Sequence, residues 1–95
     1  MQLRYEWDEN KRNLNIQKHG LDFILASTVF SDKNKIERMD ARKEYKEKRY
    51  QTIGLITVQN TELIILVVWT HREDKIRIIS ARRARKNEKE IYYER

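Results

Sequence analysis

Apolar residues change their spacing several times along the chain, and each change marks an element. In residues 3–7, Leu-Arg-Tyr-Glu-Trp, apolar and charged side chains alternate with the period of a half-buried strand. Asp8 follows as a helix N-cap, because its carboxylate can accept orphan backbone N–H groups, and Glu9 suits the first turn. Lys18 and His19 fall in the last turn, and Gly20 can take the left-handed conformation that stops a helix there. The apolar stripe of this helix is thin, mainly Leu14 and Ile16. Asp22 reads as a second N-cap, and Phe23, Ala26, Val29 and Phe30 recur near helical spacing. The short break between the two helices predicts an αα-hairpin.

Residues 31–48 are poor in apolar side chains, which leaves a short strand near Lys35–Met39 and an exposed, charged loop. Three strands are predicted next, at Tyr50–Thr57, Glu62–Arg72 and Lys75–Ala81. Gln59-Asn60 and Glu73-Asp74 supply tight turns, so these strands should form an antiparallel meander. The unbroken apolar run Leu63–Val68 predicts a central strand covered on both faces. A last helix carries Ala84, Glu88, Ile91, Tyr92 and Arg95 along one face. The order β-α-α-β-β-β-β-α defines an α+β fold, a mainly antiparallel sheet packed by helices, expected on one sheet face. Residues 1–95 are expected to form a single domain.

Composition narrows the function classes. A chain of 95 residues buries too little surface for two cores or a deep cofactor cavity. With no cysteine, disulfide scaffolds and thiolate zinc sites are excluded. The longest apolar run is far short of the roughly 20 residues that span a bilayer. The N-terminus lacks a secretory pattern, so a soluble, cytoplasmic protein is expected.

Charge adds an address. The net charge is +6, yet residues 33–50 and 72–95 each carry +4, while the other two stretches are slightly negative. The basic segments flank the apolar centre of the sheet. If the sheet brings them together, they form one cationic surface that attracts polyanions through counterion release and steering.

Candidate chemistry gathers near the C-terminus, in Ile76-Arg77-Ile78-Ile79-Ser80-Ala81-Arg82-Arg83-Ala84. Strict alternation would put Arg77, Ala81 and Arg83 on one side and Ile76, Ile78, Ser80 and Arg82 on the other. Arg82 and Arg83 could hold phosphates through their guanidinium forks, or pair with Glu88 or Glu90. His19 and His71 are the only histidines. Either could move a proton near neutral pH, and His19 equally suits a helix C-terminus. No metal is expected, since the paired acids Asp8-Glu9 and Glu73-Asp74 read as cap and turn. No glycine-rich phosphate loop or nucleophile elbow is present, and no cofactor is expected.

These residues resemble a known family, over nearly the whole chain. Trp7-Asp8, Lys11, Asn15, Lys18-His19-Gly20, Phe23, Ala26, Phe30 and Asp32 match the N-terminal pattern of BrnT toxins. Arg49-Tyr50-Gln51-Thr52-Ile53-Gly54 resembles their R-[aromatic]-x-x-I-G strand. The run Ile76 to Ala84, then Glu88 and Tyr92 or Tyr93, resembles their closing signature. Two positions depart from the pattern. Glu9 stands where proline is frequent. Arg85 stands where threonine would complete a capping box with Glu88, a loss typically worth about 1 kcal/mol.

The resemblance implies a RelE-like fold and a ribonuclease toxin of a type II toxin–antitoxin pair, which cleaves RNA without metal and blocks translation. It also implies a ribbon-helix-helix antitoxin of the BrnA kind as partner, through which the complex would bind promoter DNA. Arg82, Arg83 and Arg49 would then stabilise the scissile phosphate, with Lys18 or His19 carrying protons. Arg77, Lys46 and Lys48 would bind RNA. Two rivals remain at this level: a non-catalytic basic module that binds nucleic acid, and a degenerate toxin acting as a corepressor subunit.

Overall fold

A computed structural model describes residues 4–42 and 46–94. Leu3 and Arg95, which the pattern assigns to the first strand and the last helix, lie outside the described residues. The elements follow the expected order: β1 (Arg4–Glu6), α1 (Glu9–His19), α2 (Phe23–Ala26), β2 (Ile36–Met39), β3 (Tyr50–Val58), β4 (Thr61–Arg72), β5 (Lys75–Arg83) and α3 (Lys86–Glu94). They build one five-stranded sheet in the order β1-β5-β4-β3-β2. Only β1 runs parallel to its neighbour, β5. The other pairs are antiparallel, which makes this a mixed α+β fold with a mainly antiparallel sheet. Among the described residues, no helix is long and apolar enough to cross a membrane.

Local signals explain the boundaries. Asp8 Oδ1 accepts from the N–H groups of Asn10 and Lys11 at 2.8 and 3.1 Å, which starts α1. Gly20, at φ +66°, ends it by donating its N–H to the Ile16 carbonyl at 2.7 Å. Asp22 both caps α2 through the Ile24 N–H and clamps Arg12 of α1 at 2.8 and 3.0 Å, fastening the helical hairpin. Gln59 and Asn60 both have positive φ, the mark of a two-residue turn whose twist suits a hairpin. The helix expected to run through Phe30 instead tightens into a 3-10 turn at Ser27–Ser31. Its cause is local: the Ser27 and Thr28 hydroxyls donate to the carbonyls of Ile24 and Leu25 at 2.7 Å.

The helices do not share one sheet face. On the first face, α1, α2 and the 3-10 turn cover Ile56, Ile65, Val67, Ile76, Ile78 and Ala81. On the second, α3 lays Tyr92 against Ile53, Ile64, Leu66 and Val68. Residues 64–69 of β4 therefore alternate between two cores, and their unbroken apolar character follows. In α3 the buried positions are Glu88 and Tyr92, while Ile91, expected to be inward, is exposed.

The two outer strands are short, and side chains finish their work. Beyond β1, the free edge of β5 is met by Asn15 of α1. Its side-chain amide donates to the Ala81 carbonyl at 2.8 Å and accepts the Ala81 N–H at 3.1 Å, imitating a strand partner. Beyond β2, Asp32 Oδ2 accepts the Leu55 N–H of β3 at 2.8 Å and the Tyr92 hydroxyl at 2.6 Å. The chain can come this close to β3 only because residue 54 is glycine. A Cβ there would sit 2.7 Å from Val29 Cγ2 and 3.1 Å from Asp32 Oδ2. Gly54→Ala should lower the unfolding free energy by about 1–3 kcal/mol, the usual range for overpacking. Urea titration followed by circular dichroism measures it, and an unchanged midpoint would contradict this account of the site.

Candidate functional site

A β-bulge sets the orientation of the arginines in β5. Val68 pairs with Ser80 but Trp69 pairs with Ile78, so Ile79 is the extra residue and the alternation slips by one. Ala81 consequently joins Ile76 and Ile78 in the first core, correcting the faces expected from strict alternation. Arg82 turns to the second face instead. There it meets α3, donating from Nη1 and Nη2 to the two carboxylate oxygens of Glu88 at 2.8 and 2.9 Å.

Glu88 has a second task. Its Oε1 accepts the Arg85 N–H at 2.7 Å, the half of a capping box that survives without a threonine at position 85. The start of α3 is thus held by Glu88 alone among the capping side chains, and Arg82 holds Glu88. The Arg82 bond, aided by the Arg85 N–H and opposed by burial, keeps this carboxyl below the usual carboxylate range.

Because α3 covers only part of the second face, the end of the sheet near β2 stays open. A pocket of about 320 Å³ lies there. Four guanidinium residues line it, Arg38, Arg42, Arg82 and Arg85, against two carboxylates, Asp40 and Glu88, with Gln51 on its floor. The two basic segments of the sequence meet at this pocket. Arg38 is steadied by donating from Nε to Gln51 Oε1 at 2.8 Å. Asp40, its side chain wholly buried, accepts from Arg42 Nε and Nη2 at 2.8 and 2.7 Å. Positive groups thus outnumber negative ones in a concave, partly desolvated place, where a phosphate gains most from them.

The residues singled out from sequence are distributed around this pocket rather than gathered in it. Arg82 lines it. Arg83 is exposed and lines a different depression, with Glu62, Lys89 and Tyr93. Arg49 stands just before β3, 3.9 Å from Glu47, and its carbonyl accepts the Asp40 N–H at 2.8 Å. Arg77 donates to Glu6 across the β1–β5 junction at 2.7 Å. Lys46 and Lys48 are exposed in the segment leading to β3, where the Lys48 carbonyl accepts from Thr70 Oγ1. Lys18 and His19 end α1, outside the pocket lining. Burial, Lys18 and Arg82 together push the His19 imidazole below its ordinary pKa. Sequence reasoning passed over Arg38, Asp40, Arg42, Gln51 and Arg85. The one available signal was the period of β2, which puts Ile36 and Arg38 on the same face.

Among the described residues, no three His, Asp or Glu side chains are grouped to hold a metal ion. What the pocket offers is permanently charged guanidinium groups. Arg42 and Arg82 already hold Asp40 and Glu88, and Arg38, on the edge strand, is engaged through Nε and can turn its Nη groups to a phosphodiester.

Comparison with known proteins gives the same direction. No curated protein matches the chain. A family described as the ribonuclease toxin, BrnT, of type II toxin–antitoxin systems matches residues 7–88. That stretch begins at Trp7, just after β1, and closes on Glu88, the residue that joins Arg82 to the start of α3. Both halves of the basic pocket lie within it, and the chain belongs to the BrnT family of ribonuclease toxins.

Proposed function

We propose that the protein cleaves RNA as an endoribonuclease, without a metal ion, and that this cleavage blocks translation. The observation that carries the reading is the convergence of Arg38, Arg42, Arg82 and Arg85 on one open pocket. In such a reaction the ribose 2′-oxygen attacks the adjacent phosphorus and the bond to the 5′-oxygen breaks. The 2′-proton leaves to a base, and the 5′-oxygen takes up a proton. Charge grows on the non-bridging oxygens meanwhile, and guanidinium donors fixed in place stabilise it.

Within this reading Arg82 and Arg38 contact the scissile phosphate. Arg49 stands behind them, bonded to the strand end that carries Asp40. Lys18 or His19 is proposed to carry the protons. Both end α1 outside the pocket lining, so the ribose must reach past Arg82, whose charge His19 feels, to meet them. Arg77, Lys46, Lys48 and Arg83 extend the positive surface along which the RNA backbone runs. The partner implied by a type II system is an antitoxin, proposed here to be a ribbon-helix-helix protein that brings the complex to promoter DNA in the cytoplasm.

The decisive measurement uses purified protein and a defined single-stranded RNA in EDTA. Discrete fragments ending in 2′,3′-cyclic phosphate are expected. Intact RNA, bound in a salt-dependent way, would instead make the pocket a binding module.

A further inference from the structure

We propose that the depression formed by Met39, Tyr50 and Trp69 on the first face of the sheet is a nucleobase subsite. It would hold one unpaired base of the RNA whose backbone lies in the guanidinium pocket, so the inference rests on the ribonuclease reading.

The depression has a volume of about 380 Å³, within the range of small-ligand pockets, roughly 300–1,000 Å³. Cross-strand pairing aligns Met39, Tyr50 and Trp69 in one row. The Tyr50 and Trp69 rings stack with centroids 4.9 Å apart. This row is held rigidly. The Trp69 indole N–H donates to the buried Thr52 hydroxyl at 2.8 Å, which itself donates to Glu37 at 3.3 Å. Trp69 is buried against Phe30 of the 3-10 turn and backs the half-buried Tyr50 ring, so the surface open to a ligand is that of Tyr50 and of Met39, which stands 55% exposed. A fixed aromatic floor with a flexible thioether beside it suits the face of any base, and an unpaired base can be turned out to reach it.

Location gives the occupant. Arg38 and Met39 line both this depression and the guanidinium pocket, on opposite sides of the four-residue edge strand β2. A nucleotide whose phosphate meets Arg38 can therefore place a base over Met39 by crossing one short strand. Glu37 also lines the depression, so its charge balances that of Arg38 there. What the depression adds to the positive pocket across β2 is the ring surface on which a base of single-stranded RNA can stack.

The test follows the two indole N–H resonances of the full chain, labelled with nitrogen-15 and assigned with a Trp7→Phe variant. Adenosine 5′-monophosphate should shift the Trp69 resonance saturably and leave Trp7 unmoved. Ribose 5-phosphate, which has the phosphate but no base, should move neither. Met39→Asp, at an exposed position, should weaken the nucleotide response about tenfold and raise KM for RNA more than it lowers kcat. A silent Trp69, or an equal response to ribose 5-phosphate, overturns the subsite and leaves the patch to protein contact. Cleavage of RNA by the same preparation separates the two readings. Cleavage with a silent Trp69 removes only the subsite, whereas a Trp69 response without cleavage keeps the subsite and removes the ribonuclease reading.

Discussion

Arg82→Ala is expected to lower the unfolding free energy by about 3–5 kcal/mol at neutral pH, the range for breaking one side of a buried ion pair. The Glu88 side chain is 6% exposed and that of Arg82 18%, so water entering from the adjoining pocket replaces the lost guanidinium only in part. Glu88 would keep the Arg85 N–H as a donor, and α3 would start on a poorly compensated carboxylate. Domains of this size have only about 5–15 kcal/mol in total, so the variant should melt well below the parent.

The pH dependence has a definite sign. In the parent, the folded Glu88 pKa lies below the ordinary value near about 4.3. The pair's contribution is therefore complete above that value and fades as pH falls through the depressed one. In the variant, burial acts without the arginine, the carboxyl protonates more readily, and the deficit relative to the parent shrinks on acidification. Urea unfolding of both proteins at pH 7 and pH 4 measures this. Arg83→Ala, on an exposed side chain, should change stability by less than about 0.5 kcal/mol. Equal effects of the two substitutions would show that the Arg82–Glu88 pair does not hold α3.

Those two arginines also show where sequence stops informing. Caps and turns are local, and the capping and turning of Asp8, Gly20, Asp22, Gln59-Asn60 and Glu73-Asp74 is done within a few residues of each, even though Asp22 also holds Arg12. Their elements were legible for that reason. Strand periodicity was equally legible until Ile79, where a bulge that depends on pairing with β4 rotates the rest of β5 by one residue. No property of Ile79 itself announces this. The assignment of α3 to the second face was hidden for a similar reason: it depends on how the chain turns after Arg83. At the site, the closing arginines and Glu88 could be read from the family resemblance. Arg38, Arg42 and Gln51 could not, because 21 cations offer too many combinations until the sheet register selects a few.

Loss of activity in Arg82→Ala would mix catalysis with unfolding, so Arg38→Ala is the sharper experiment. Arg38 lies on an exposed edge strand, and only its Nε is engaged, by Gln51. Its removal strands no buried charge but takes the donor from the buried Gln51 Oε1, so stability should fall by about 1 kcal/mol, and by no more than about 3. Its Nη groups have no protein partner among the described residues and open on the pocket that Arg82 lines. If they bond the phosphate oxygens as charge develops, kcat/KM for RNA should fall about 100-fold or more, the usual cost of one preorganised donor. Arg38→Lys should recover only part of this, since an ammonium keeps the charge without the fork. The slope of log affinity against log salt should also become shallower by about 0.7, one phosphate contact on a single strand. The measurement is single-turnover cleavage of one defined RNA, with thermal melts of each variant alongside. A folded Arg38→Ala that cuts RNA at the parental rate would take this pocket out of the reaction, and the search for the phosphate site would move to the depression that Arg83 lines with Lys89 and Tyr93 of α3.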